Sequence, residues 1–98
     1  MVQGMKTLAL TLCALALSAV SAQAACYADY KAKRDDPLRL HYGVAEISAP
    51  CDQPDAAADE LRPRLGSDGW SLLAIVSLFG DDGLEKRRDS AGDYYLRY

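Results

Sequence analysis

The hydrophobic and polar positions fall into blocks that alternate in character along the chain. Residues Leu8 to Val20 form an uncharged, largely apolar core, whereas Tyr27-Ala-Asp-Tyr-Lys-Ala-Lys-Arg-Asp-Asp36 is polar and charged with no evident apolar period. That second block reads as a frayed helical turn or an extended arm, ended by Pro37, because the residue before a proline is disfavoured in helical conformation. In Leu38 to Ile47, Leu38, Leu40, Tyr42 and Val44 alternate with Arg39, His41 and Gly43. A period of two predicts a half-buried strand, and Gly43 with the phase change at Ile47 points to a bulge.

A turn over Ser48–Gln53 precedes a helix starting near Pro54. Asp52 is placed to cap it, proline suits its first turn, and Asp55 lies at the positive end of its dipole. Ala57, Ala58, Leu61 and Leu65 make one narrow apolar stripe. Pro63 should kink or tighten the last turn, and Gly66 stands where a left-handed C-terminal cap is expected. Trp70 to Phe79 is the most apolar stretch after the first block and reads as a central strand. On it Trp70, Leu72, Ala74, Val76 and Leu78 share one face, with Leu73, Ile75 and Phe79 opposite. Gly80–Gly83 and Asp89–Gly92 are turn signals around the short charged segment Leu84–Arg88. Asp93 to Tyr98 is rich in β-formers and predicts a terminal strand. The predicted order is β-α-β-β: an α+β fold in which a small antiparallel sheet of three to four strands carries one helix across a face.

The N-terminal block changes the picture of compartment. Lys6 precedes the apolar core, and Ala22-Gln23-Ala24 fits the small-residue rule for signal peptidase. A positive start, a short apolar middle and a small-residue exit define a cleavable export signal. We therefore expect residues 1–24 to be a signal peptide, 25–98 to be one small α+β domain, and the product to be periplasmic or secreted. Met5, beside Lys6, is an alternative initiator. The apolar core is shorter than the roughly 20 residues of a spanning helix, so no stable membrane span is expected after cleavage. Cys26 has Gln23 rather than an apolar residue three places upstream, which argues against a lipid-modified cysteine.

Of the three cysteines, Cys13 belongs to the signal. Cys26 and Cys51 remain as an even pair in a chain bound for an oxidising compartment, and a structural disulfide is the expectation. Two distant cysteines and a lone histidine make a poor zinc set, and a redox couple would normally be spaced C-x-x-C. No metal site or cofactor is expected. The chain has 11 basic and 14 acidic residues, and losing Lys6 makes the remainder more acidic. Nonspecific nucleic-acid binding needs clustered positive charge to displace counterions, so nucleic acid is excluded as a partner.

The segment Leu65-Gly66-Ser67-Asp68-Gly69-Trp70-Ser71-Leu72-Leu73-Ala74-Ile75 resembles the helix-to-strand corner of a family of small bacterial βαββ domains of unknown function, with its Leu-Gly-x-x-Gly-Trp-Glu-Leu pattern. Tyr94-Tyr95-Leu96-Arg97-Tyr98 is similar to a later strand of that family. Ser71 stands where the family has Glu, and the stretch Gly80–Gly92 is long for it. The resemblance implies a fold and an exported, Gram-negative setting, and it supplies no activity.

His41 is the only histidine. A general base needs an orienting partner and a nucleophile, and no such partner stands near it in sequence. Asp81-Asp82-Gly83-Leu84-Glu85 is too short for a calcium loop. Lys86-Arg87-Arg88 is a compact basic run suited to an anionic partner or to guarding a strand edge. Six tyrosines are present, and alternation along the terminal strand puts Tyr94 and Tyr98 with Leu96 on one side. Tyr95 and Arg97 fall on the other side as a candidate contact patch. The reading is a noncatalytic module that binds a protein or envelope component through a sheet face or edge, with residues Lys86, Arg87, Arg88, Tyr95 and Arg97 as contacts. An open edge also predicts homo-oligomers by strand pairing. The alternative is a small-ligand binder or small enzyme with its site near His41.

Overall fold

A computed structural model of the chain describes residues 24–98. The expected export signal therefore lies outside the described residues except for its last position, Ala24. Three strands, β1 (Cys26–Arg34), β2 (Arg39–Ile47) and β3 (Ser71–Phe79), form one antiparallel sheet in the order β2-β1-β3. Helix α1 (Pro54–Gly66) connects β2 to β3, and a short helix α2 (Glu85–Ala91) follows β3. The α+β class, the antiparallel sheet and the disulfide are as expected, but the third strand comes from the start of the domain. The element order is β-β-α-β-α.

The central strand is β1, formed by the segment that lacked an obvious apolar period. Its alternation is written in small residues: Cys26, Ala28, Tyr30 and Ala32 are all buried on one side. Alanine at these positions lets both neighbouring strands and α1 approach closely. Pairing with β2 is continuous from Cys26–Ile47 to Arg34–Arg39, so Gly43 marks no bulge. The bulges lie between β1 and β3 instead. They break the expected alternation of Trp70 to Phe79: Leu72, Ile75 and Leu78 pack toward α1, while Ala74, Ser77 and Phe79 are paired with the opposite side of β1. This apolar strand lies at the edge of the sheet.

Helix α1 buries Ala57, Ala58, Leu61 and Leu65, as its stripe predicted. Its N-cap is Gln53, without a side-chain cap, and Pro54 opens the first turn. Asp52 does not cap it. The carboxylate of Glu60 instead accepts the backbone N–H groups of Ser48 and Ala49 at 2.9–3.0 Å and the guanidinium of Arg64 at 2.8 Å, tying the preceding turn to the helix. At the other end the left-handed residue is Gly69 (φ 81°), three places beyond Gly66. Trp70 donates its backbone N–H to the Leu65 carbonyl at 3.0 Å and buries its indole beneath the corner.

The Cys26–Cys51 disulfide joins the start of the central strand to the turn before α1. Beyond β3 the expectations change most. Leu84–Arg88 and the supposed turn Asp89–Gly92 combine into α2, and the terminal strand is replaced by a 3-10 turn over Gly92–Tyr94. Only one bridge, between Tyr95 and Val44, attaches the tail to the outer side of β2, with the Leu96 N–H donating to the Val44 carbonyl at 2.8 Å. Leu96 is left-handed (φ 57°), which interrupts any strand there. Among the described residues no helix is long and apolar enough to cross a membrane.

Candidate functional site

The two faces of the sheet are closed differently. Toward α1 the core is completed by an aromatic cluster. The His41 imidazole stacks on Tyr94 at 3.7 Å between centroids, meets Trp70 edge-on at 4.3 Å, and contacts the hydroxyl of Tyr30 through Nε2 at 3.0 Å. Burial, with the guanidinium groups of Arg34 and Arg97 adding to it, pushes the His41 pKa down to about 4. The ring is neutral at ordinary pH and only 9 % exposed, and its Nδ1 has no partner among the described residues. A general base needs access to a substrate proton. Here Tyr30, Trp70, Tyr94 and Tyr98 surround the ring, which packs it into the α1 side of the sheet.

The opposite face consists of four cross-strand rows. Glu46–Tyr27–Phe79 and Val44–Asp29–Ser77 lie at one end; Tyr42–Lys31–Ala74 and Leu40–Lys33–Ser71 lie at the other. Helix α2 covers the first two. Arg87 is its anchor: its Nε donates to the Asp29 carboxylate at 3.1 Å, and its guanidinium lies 3.9 Å from the centre of the Phe79 ring. Ser77 and Tyr42 also donate to Asp29, at 2.6 and 2.8 Å. Burial alone would raise this carboxyl, yet the hydrogen bonds from Ser77, Tyr42 and Arg87 outweigh it and hold the pKa below the usual value. The Tyr42 hydroxyl is pushed up to about 12 by burial and by the same carboxylate. Ala91, Val44, Tyr27 and Tyr95 pack alongside as a second small core.

The last two rows have no cover among the described residues. A groove of about 300 Å³ runs there, lined by Lys31, Ala32, Leu40, His41, Tyr42 and Leu73. His41 and Ala32 are register partners whose side chains serve the α1 side, so the side chains offered to a ligand are those of Lys31, Leu40, Tyr42 and Leu73. Leu40 is 67 % exposed and Leu73 52 %, with Leu38 (65 %) at the hairpin end. Lys31 is exposed beside them, and Lys33, the register partner of Leu40, is partly tied to Asp35 at 3.2 Å. An apolar floor flanked by lysines can hold an apolar group and neutralise a carboxylate.

The residues singled out from sequence are dispersed. Arg87 points inward to Asp29, while Lys86 and Arg88 remain exposed on α2. Tyr95 belongs to the second core, with the Arg88 guanidinium 5.9 Å from its ring. Arg97 lies on the other side, 5.7 and 5.8 Å from the rings of Tyr94 and Tyr98. Tyr95 and Arg97 therefore do not share a patch, and Leu96 is exposed. The residues of the open half-face escaped the sequence reading because β1 was not recognised as a strand. Continuing a period of two from Tyr27 through Asp29, Lys31 and Lys33 would have found them. Among the described residues no group of His, Cys, Asp and Glu side chains is placed to hold a metal ion. No family model matches the chain, and it matches no curated protein and no solved structure.

Proposed function

We propose that this chain is an exported, noncatalytic interaction module, working in the periplasm or outside the cell, whose open half-face binds a protein segment carrying apolar and acidic side chains. The signal-like N-terminus and the Cys26–Cys51 bridge support the compartment. The observation that carries the interaction is the pair of uncovered rows, where Leu40 and Leu73 lie open beside Lys31 and Lys33. Large exposed apolar groups gathered on one face mark interaction surfaces more than scattered ones do. The surrounding positive charge in an otherwise acidic chain selects an acidic partner and speeds its encounter.

The test is capture from periplasmic extract with the oxidised 25–98 domain, comparing it with Leu40→Asp, Lys31→Glu and Lys86→Glu. A partner that is lost with the first two variants and kept with the third supports the reading. A partner lost only with Lys86→Glu, or with changes at Arg88, Tyr95 or Arg97, moves the contact to the C-terminal elements. The dimensions of the groove favour one second reading, a small amphipathic anion with its carboxylate at Lys31. Displacement of a fluorescent fatty-acid probe, abolished by Lys31→Glu, distinguishes it from a protein partner.

A further inference from the structure

The two outer edges of the sheet are treated differently. On β2 the tail bridges at Val44 and occupies its carbonyl. On β3 the outer edge has no partner among the described residues. This edge is nine residues long, and Ser71-Leu-Leu-Ala-Ile-Val-Ser-Leu-Phe79 contains no charge and no proline. Natural edge strands are normally short, charged, interrupted by proline, or covered, because a free row of N–H and C=O groups templates strand addition. Bulges are also used to blunt an edge. Here, however, the two residues left without a β1 partner are Leu73 and Val76, each about half exposed at 52 % and 51 %. The bulges thus present apolar side chains where a guarded edge would carry lysine.

We infer that β3 pairs antiparallel with β3 of a second copy, joining two sheets into one of six strands. About the strand's midpoint, Ile75, Leu72 is set against Leu78 and Ala74 against Val76, while the remaining pairs, Leu73 with Ser77 and Ser71 with Phe79, are dissimilar but uncharged. A two-fold axis near Ile75 therefore sets small against branched and leucine against leucine, as a self-complementary interface requires. Its lack of charge lets two identical edges meet without repulsion, whereas an acidic foreign strand would find no cation along β3 itself. This pairing uses the edge and shares Leu73 with the groove, but it leaves Leu40 and Lys31 free and rests on β3 alone, so it does not depend on the docking reading above.

The experiment is sedimentation equilibrium on the oxidised 25–98 domain and on Val76→Lys, Val76→Asp and Leu40→Asp, with circular dichroism confirming that each retains its fold. The expected result is twice the monomer mass for the parent and for Leu40→Asp, and the monomer mass for both Val76 variants, since a charge of either sign is set against the apolar Ala74 of the other copy and lies diagonal to its own image across the axis. A parent that is monomeric up to its solubility limit overturns the inference. So does a dimer that survives both Val76 substitutions, or one that only the aspartate disrupts.

Discussion

The Tyr30 ring occupies the space that a side chain on Gly43 would fill. The two residues are register partners in β1 and β2, and a Cβ built on Gly43 would come within 2.5 Å of Tyr30 Cζ. This close approach lets the Tyr30 hydroxyl reach His41 Nε2 at 3.0 Å. Gly43→Ala should overpack the site and destabilise the fold by about 1–3 kcal/mol, read as a fall in the denaturant midpoint with an unchanged slope. Tyr30→Phe should cost about 1–3 kcal/mol by a different route, leaving a buried imidazole nitrogen unpaired.

His41 makes stability depend on pH in a defined window. Its pKa is about 4 in the folded chain against 6.5 for an ordinary histidine, so between those values the unfolded chain binds a proton that the folded chain refuses. Stability therefore falls as pH drops from about 6.5 to about 4. Asp29, whose folded pKa is lowered, adds a further loss at more acidic pH, starting as the unfolded carboxyl protonates near its ordinary 3.8. In His41→Phe the slope between 6.5 and 4 should vanish while the acid limb remains. Thermal melts across this range decide it, and persistence of the slope would place the titrating group elsewhere.

The basic run on α2 should divide by position. Arg87→Ala strands the buried Asp29 carboxylate without its cation, and breaking such a pair costs about 3 kcal/mol. It should also loosen α2 from Val44 and Phe79, visible as faster amide exchange over Glu85–Ala91. Lys86→Ala and Arg88→Ala, exposed on the same helix, should each stay within about 0.5 kcal/mol of the parent. Equal losses at all three positions would contradict the inward role of Arg87.

Opening the Cys26–Cys51 bridge releases a constraint of 25 residues. Reduction, or Cys51→Ser, should cost about 3 kcal/mol in the chain-entropy account, a large share of the stability of so small a domain. Chemical denaturation with and without reductant measures it. A reduced chain as stable as the oxidised one would mean that the packing of β1 alone holds the fold.

Local pattern determined much of this protein. The stripe of α1, the strand after Trp70 and the pairing of two cysteines were legible, because each depends on neighbours in sequence or on simple parity, although the left-handed residue after α1 is Gly69 rather than Gly66. The central position of β1 was not. Its core side is written in Cys26, Ala28 and Ala32, residues whose burial follows only from how closely β2, β3 and α1 approach. The charge of Asp29 likewise looks like that of a surface residue until Arg87, Ser77 and Tyr42 converge on it from distant parts of the chain. The same holds for the tail. Its β-forming composition predicts a strand, but the 3-10 turn before Tyr95 and the left-handed Leu96 after it limit the tail to a single bridge on β2. Which half of the second face remains open was decided by the placement of α2, which is fixed by the Arg87–Asp29 contact together with the packing of Ala91 on Val44 and its neighbours. Periodicity reports how one segment distributes its own side chains. The location of a surface depends on what the remaining segments cover, and that arises only when the whole chain packs.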